Sequence, residues 1–123
     1  MSIQLDIAAF AKKTKGTLDE ATRAIQLSLF GGVIRDTRVD TGRLRGNWQT
    51  NVGSPKTNPI DRLDPSGEKA IAEVSNNNTS GGVVYFTNNL PYAQVWEVRD
   101  GMIARNTARI QRTVEEVASR VRR

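Results

Sequence analysis

Asp40-Thr41-Gly42 is the place in this sequence where side-chain chemistry is easiest to build. A carboxylate in an Asp-Thr-Gly turn can activate water when a second carboxylate shares its proton, each supplied by one copy of a short chain. Gly31-Gly32 and Gly81-Gly82 are pairs of the kind that lets backbone N–H groups cradle a phosphate. Near the C-terminus, Arg105, Arg109, Arg112 and Arg120 could follow DNA phosphates or meet the acidic face of another subunit. The chain has neither cysteine nor histidine. Disulfides, thiolate nucleophiles, zinc fingers and imidazole acid–base catalysis are therefore excluded. Carboxylates, Lys, Tyr, Ser and Thr are what remains.

Each candidate has a plainer reading. Asp-Thr-Gly is the triplet of aspartic proteases, but there two apolar residues precede it and a small one follows. Here Arg38-Val39 precede and Arg43 follows, and no later apolar-apolar-Gly-Arg segment exists. The simpler expectation is a turn, with Asp40 and Thr41 bonding nearby backbone and Gly42 supplying a positive φ. Neither glycine pair is followed by Lys-Ser/Thr, so hinges and turns are expected there. The arginines can equally form a solvated helix face, with Arg112 near Glu115 and Glu116 and Glu116 near Arg120. No pair of helices for base readout is discernible, so sequence-specific DNA recognition is not expected. Nothing calls for a metal or organic cofactor.

These residues need elements to hold them. At 123 residues, of which 37% are hydrophobic, the chain is expected to be a single domain, 1–123, with one modest core. No run approaches the roughly 20 apolar residues of a membrane-spanning helix. Met1-Ser2-Ile3-Gln4-Leu5-Asp6 lacks the basic stretch and apolar block of a signal peptide, so a protein made and assembled in a cytoplasm is expected. The net charge is +5, and the segment from Arg99 onward holds seven arginines against three acids. An acidic partner is implied.

Residues 3–15 read as a short amphipathic helix ending near Gly16. A second helix starts at a Thr17 cap with Glu20 three residues on. Leu18, Ala21, Ile25 and Leu29 mark its buried stripe. Gly31-Gly32 falls inside this pattern, as a kink or a close backbone approach. Helices are thus expected over about 3–38, and an antiparallel sheet of about three to four strands over about 44–88. Within that sheet region, a strand runs from Leu44 to Val52. A long Pro/Gly/Asn loop covers 53–67, and Ala70-Ile71-Ala72-Glu73-Val74 reads as another strand. Val83 to Thr87 forms the strongest β run. Pro91 can open a helical turn carrying Tyr92, Val95 and Trp96. Ile103, Thr107, Ile110, Val114, Val117 and Val121 form one seam of a long amphipathic C-terminal helix, about 102–122. The fold class is α+β. Trp48, Tyr85, Phe86, Tyr92 and Trp96 are expected in the core or at subunit contacts.

Two segments together resemble the neck or tail-completion proteins of long-tailed bacteriophages. The first is an apolar-Asp-Thr-Gly-x-Leu-Arg opening that ends on an aromatic, matched by Val39, Asp40, Thr41, Gly42, Leu44, Arg45 and Trp48. The second is Asn-x-x-Pro-Tyr-Ala-x-x-x-Glu, matched by Asn88 or Asn89 with Pro91, Tyr92, Ala93 and Glu97. The order of elements fits along nearly the whole chain. One departure is that Val98-Arg99-Asp100 stand between Glu97 and Gly101, where family members place the glycine close behind the glutamate. The resemblance implies a non-enzymatic virion protein of the neck or tail, assembled in the host cytoplasm. It implies a homo-oligomeric ring that contacts other neck and tail proteins, with nonspecific contact to the genomic DNA in the lumen and no membrane. A tail-terminator or head-closure ring is the neighbouring alternative, and a nonspecific DNA-binding protein the more distant one. The loop 53–67 and the basic helix are the expected contact surfaces.

Overall fold

Phe86 lies flat between two other rings, 4.5 Å from Phe30 on one side and 4.5 Å from Trp48 on the other, within 3° of parallel to each. All three side chains are fully buried. Burying a side chain of this size is worth about 1.5–3 kcal/mol, and each ring pair adds about 0.5–1.5 kcal/mol. The stack locks a helix to a sheet.

The computed structural model describes residues 2–6, 19–79 and 82–121. The chain is α+β, with several helices around a small antiparallel sheet. The order is β1 (Ser2–Asp6), α1 (Asp19–Asp36), a single helical turn α2 (Arg43–Gly46) and β2 (Trp48–Val52). Then come α3 (Glu68–Asn76), β3 (Val83–Asn88), α4 (Ala93–Asp100) and α5 (Met102–Val121). β3 is central: Trp48 of β2 stands opposite Asn88, and Ser2 of β1 opposite Thr87 on the other side. Phe86, Val84, Trp48 and Thr50 share the sheet face that packs on α1.

Several expectations need correction. Residues 2–6 are a strand; the rest of the helix expected at 3–15, and the Thr17 cap, lie outside the described residues. Ile25 and Leu29 are buried in α1 as expected, joined by Phe30, Val33 and Ile34. Leu18 lies outside the described residues. The helix runs unbroken through Gly31-Gly32. Gly32 is small for a different reason: a Cβ there would collide with the Asn106 side chain of α5. A side chain, not a backbone, makes the close approach. Residues 44–46 form a helical turn, so β2 opens at Trp48.

The strand expected at 70–74 is helix α3. Ala70 and Val74, one turn apart, are buried, and the Asp64 carboxylate accepts from Ala70 N at 2.9 Å. Gly67, at φ 80°, makes the turn into it. Among the described side chains of α5, Met102, Asn106 and Ile110 are buried and Thr107 is exposed. Asn106 takes the place expected of Thr107 because its amide has partners there: Asp36 Oδ2 at 2.9 Å and Met102 O at 2.8 Å. The side chains of Val117 and Val121 lie outside those described.

The loop 53–67 is irregular as expected but well anchored. Arg62 donates to the carbonyls of Gly46 and Trp48, Asn47 Oδ1 accepts from Ile60 N, and Gln49 donates to Asn58 O.

Candidate functional site

The two motif segments meet at one corner. Asn88, the last residue of β3, donates through its amide to Leu44 O at 2.9 Å, 44 residues away in sequence. The Asn88 amide oxygen accepts from Leu90 N at 3.2 Å, which turns the chain toward α4. Leu44, Leu90 and Ala93 then pack together with Trp96 against them. Trp96 also packs against the main core and so joins this small cluster to it.

Most of the motif residues hold this corner. Gly42, at φ 87°, lies so close to Pro65 that a Cβ would collide with it, and its carbonyl accepts from both Gly46 N and Asp64 N. Thr41 Oγ1 accepts from Arg43 N at 3.2 Å, the backbone-directed role expected of it. Arg45 draws three stretches together by donating to the carbonyls of Arg35, Thr37 and Pro65. The Trp48 indole donates to Thr37 Oγ1 at 2.8 Å, and that hydroxyl donates onward to Val33 O. Asn89 ties down the loop by donating to Lys56 O. Glu97 caps the next helix, accepting from Ile103 N at 2.8 Å and Ala104 N at 3.2 Å. Gly101, at φ 63°, closes α4 at the place where the family departure falls.

Between the segments opens a cleft of about 170 Å³ lined by Arg38, Asp40, Thr41, Arg43, Leu44, Tyr92 and Trp96. Arg38 lies 3.9 Å over the Trp96 ring and is held to Asp100 by Nε–Oδ2 at 2.9 Å and Nη2–Oδ1 at 3.1 Å. Arg99 approaches the same ring at 5.3 Å. The hydrogen bond from Arg38, helped by the charges of Arg38, Arg105 and Arg99, holds the Asp100 carboxyl below the usual carboxylate range. The same bond raises the Arg38 guanidinium above its ordinary value. Asp40 is exposed, and no second carboxylate lines the cleft, so shared-proton water activation would need another chain to bring one. Tyr92 lines the cleft with its side chain exposed, and Pro91 next to it in the chain is exposed as well. Among the described residues, no three carboxylates cluster as a metal site.

The basic helix is placed only in part. Arg105, Arg109 and Arg112 are exposed; Arg109 lies 4.0 Å from Asp36 and bonds Asn106 Oδ1 at 3.4 Å. No ion pair joins Arg112 to Glu115 among the described residues, and the side chains of Glu116 and Arg120 lie outside those described. No described helix is long and apolar enough to cross a membrane.

Sequence reasoning missed Arg38 and Arg43 as cleft residues and Asn47 as a bracket behind it; of the two asparagines offered for the start of the second motif, Asn88 is the one that brackets the corner. Arg43 and Asn47 fill the unmatched places inside the first motif and Arg38 directly precedes it, which was the available signal. A second groove, about 440 Å³, lies between the loop and β2, lined by Gln49, Lys56, Asn58 and Glu73 among others. Its Gln49 and Glu73 side chains already have protein partners. Compared with known proteins, the chain matches no family model, no curated protein and no solved structure.

Proposed function

We propose that this chain is a structural, non-enzymatic component of the head–tail connection of a long-tailed bacteriophage, completing the tail as a ring of identical copies in the host cytoplasm. One observation carries the reading. Most of the residues that bear the resemblance are not scattered: they build a single corner, through Asn88 on Leu44, Arg45 on three carbonyls and Glu97 on α5. A motif spent on holding backbone is what a protein working through its shape requires. The architecture in this reading is a three-stranded sheet with a long C-terminal amphipathic helix, whose exposed arginines face neighbouring subunits or the DNA that passes. Closed rings need two different complementary surfaces on every copy.

Deleting the gene should leave filled heads and tails that fail to join, with infectivity restored by supplying the protein in trans. Infectious, fully joined particles that lack the protein would overturn the proposal. A tail-terminator or head-closure position is the variant reading. Localising the protein in particles to the tail's end or the head vertex separates them.

A further inference from the structure

The corner cleft has unmet chemistry on both its polar and its apolar side. The Arg43 side chain makes no hydrogen bond or ion pair among the described residues, and Arg38 keeps Nη1 free after giving Nε and Nη2 to Asp100. Leu44, Tyr92 and Trp96 supply the apolar wall, and Asp40 is the acid of the lining. Arg99 and Arg105 stand close to Asp100 behind it. With Arg38 and Arg43 they outnumber Asp40 and Asp100, so the corner is net positive. At about 170 Å³ the cleft falls below the roughly 300–1,000 Å³ of small-molecule pockets. It has the size to seat one apolar side chain while its exposed arginines meet a charge beside it.

A matching group is displayed on the loop that borders the cleft, where Asp64 N donates to the Gly42 carbonyl. Residues 60–64 alternate in exposure: Ile60 and Arg62 are half-buried and Asp64 is buried, with Ile60 N bonded to Asn47, the Arg62 guanidinium to Gly46 and Trp48, and the Asp64 carboxylate to Ala70 N. Asp61 and Leu63 therefore turn outward. Leu63 is 53% exposed, and Asp61 makes no ion pair among the described residues. The anchors fix this strip before any partner arrives, which lowers the ordering cost of docking it. They also hold both side chains out of their own fold.

We propose that the cleft receives the Asp61–Leu63 strip of a second copy of this chain. Leu63 seats against Leu44, Tyr92 and Trp96, while the Asp61 carboxylate meets Arg43 and the free Nη1 of Arg38. The contact pairs the cleft of one copy with the strip that borders the cleft of another, and it rests on the assembly reading only for the presence of a second copy.

The test uses the purified full chain and four variants, Arg43→Glu, Asp61→Arg, the two combined and Leu63→Ser, followed by native mass spectrometry and sedimentation over a concentration series. Both charged side chains are exposed, so thermal melts should match the parent and remove misfolding as a cause. Each single exchange should weaken self-association by about tenfold or more, and the combined exchange should return it to within about threefold of the parent. Leu63→Ser should weaken it without changing its dependence on salt. A parent chain that stays monomeric at its highest soluble concentration overturns the inference. So do single variants that assemble like the parent, or a combined variant that does not recover. Assembly that is insensitive to all of these changes would leave the virion role standing and remove only this contact. A protein that self-associates through the cleft but is missing from particles would do the reverse.

Discussion

Arg62 and Glu73, paired at 3.1 Å, occupy the outer edge of β2 in the way a neighbouring strand would. Arg62 Nη2 donates to Trp48 O at 2.7 Å, and Glu73 Oε1 accepts from Thr50 N at 2.7 Å. These are the backbone groups that point away from β3, so one ion pair satisfies an edge that would otherwise invite another strand.

Replacing Glu73 by Ala should cost about 1–3 kcal/mol in urea unfolding, because Thr50 N–H and Arg62 both lose a partner. It should also raise light scattering on incubation, as the edge becomes available. Glu73→Gln keeps an acceptor and should lose less on both counts. A Glu73→Ala protein as stable and clear as the parent would show that the edge needs no cover.

Thr37→Val removes the hydroxyl that accepts from the Trp48 indole and donates to Val33 O, at nearly unchanged volume. The indole N–H is then buried without an acceptor. The expected loss is about 1–3 kcal/mol by chemical denaturation, with the fold retained.

Gly32→Ala should destabilise although alanine favours helix by about 1 kcal/mol. The new methyl meets Asn106, whose amide is held by Asp36 and Met102 and cannot swing aside freely. A net loss of about 1–3 kcal/mol is expected. In the Gly32→Ala, Asn106→Ala double variant the steric part disappears, so the two effects should not add.

The Arg38–Asp100 clasp predicts a pH response with a definite sign. The Asp100 carboxyl titrates lower folded than unfolded, so its contribution is complete above the ordinary aspartate value of about 3.9. It is lost as pH falls through the lower, folded value. In two-dimensional NMR, the Trp96 indole signal should hold steady from neutral pH to about 5 and move below about 4. Asp100→Asn should shift that signal at neutral pH and remove the acid response. The Trp48 signal, buried and bonded to Thr37, should ignore the substitution.

Periodicity made part of this fold legible before any coordinates. Ile25 and Leu29 mark the buried side of α1, and the β-branched and aromatic run at 83–87 lies in the central strand, Val83–Asn88. What could not be read was decided by distant partners. Ala70-Ile71-Ala72-Glu73-Val74 suits either a strand or a helix by pattern, and the deciding hydrogen bond comes from Asp64. Ile3 and Leu5 alternate with polar neighbours, but the partner strand of β1 begins some eighty residues on, at Val83. Thr107 sits correctly by spacing alone; Asn106 wins because Gly32 and Asp36 lie across from it. The candidate site shows the same division. Its two segments stand out as turn chemistry running into aromatics, whereas the bond that joins them, Asn88 to the Leu44 carbonyl, has no local signature.

The sandwich of Phe30, Phe86 and Trp48 draws one residue from a helix, one from the middle strand and one from its neighbour. A change at the central ring is therefore transmitted both ways at once, and no lone substitution can restore the spacing on both flanks. Lineages descended from this sequence should alter the three positions in concert or leave them alone, which makes the triplet a fingerprint for distant kin whose surfaces have diverged.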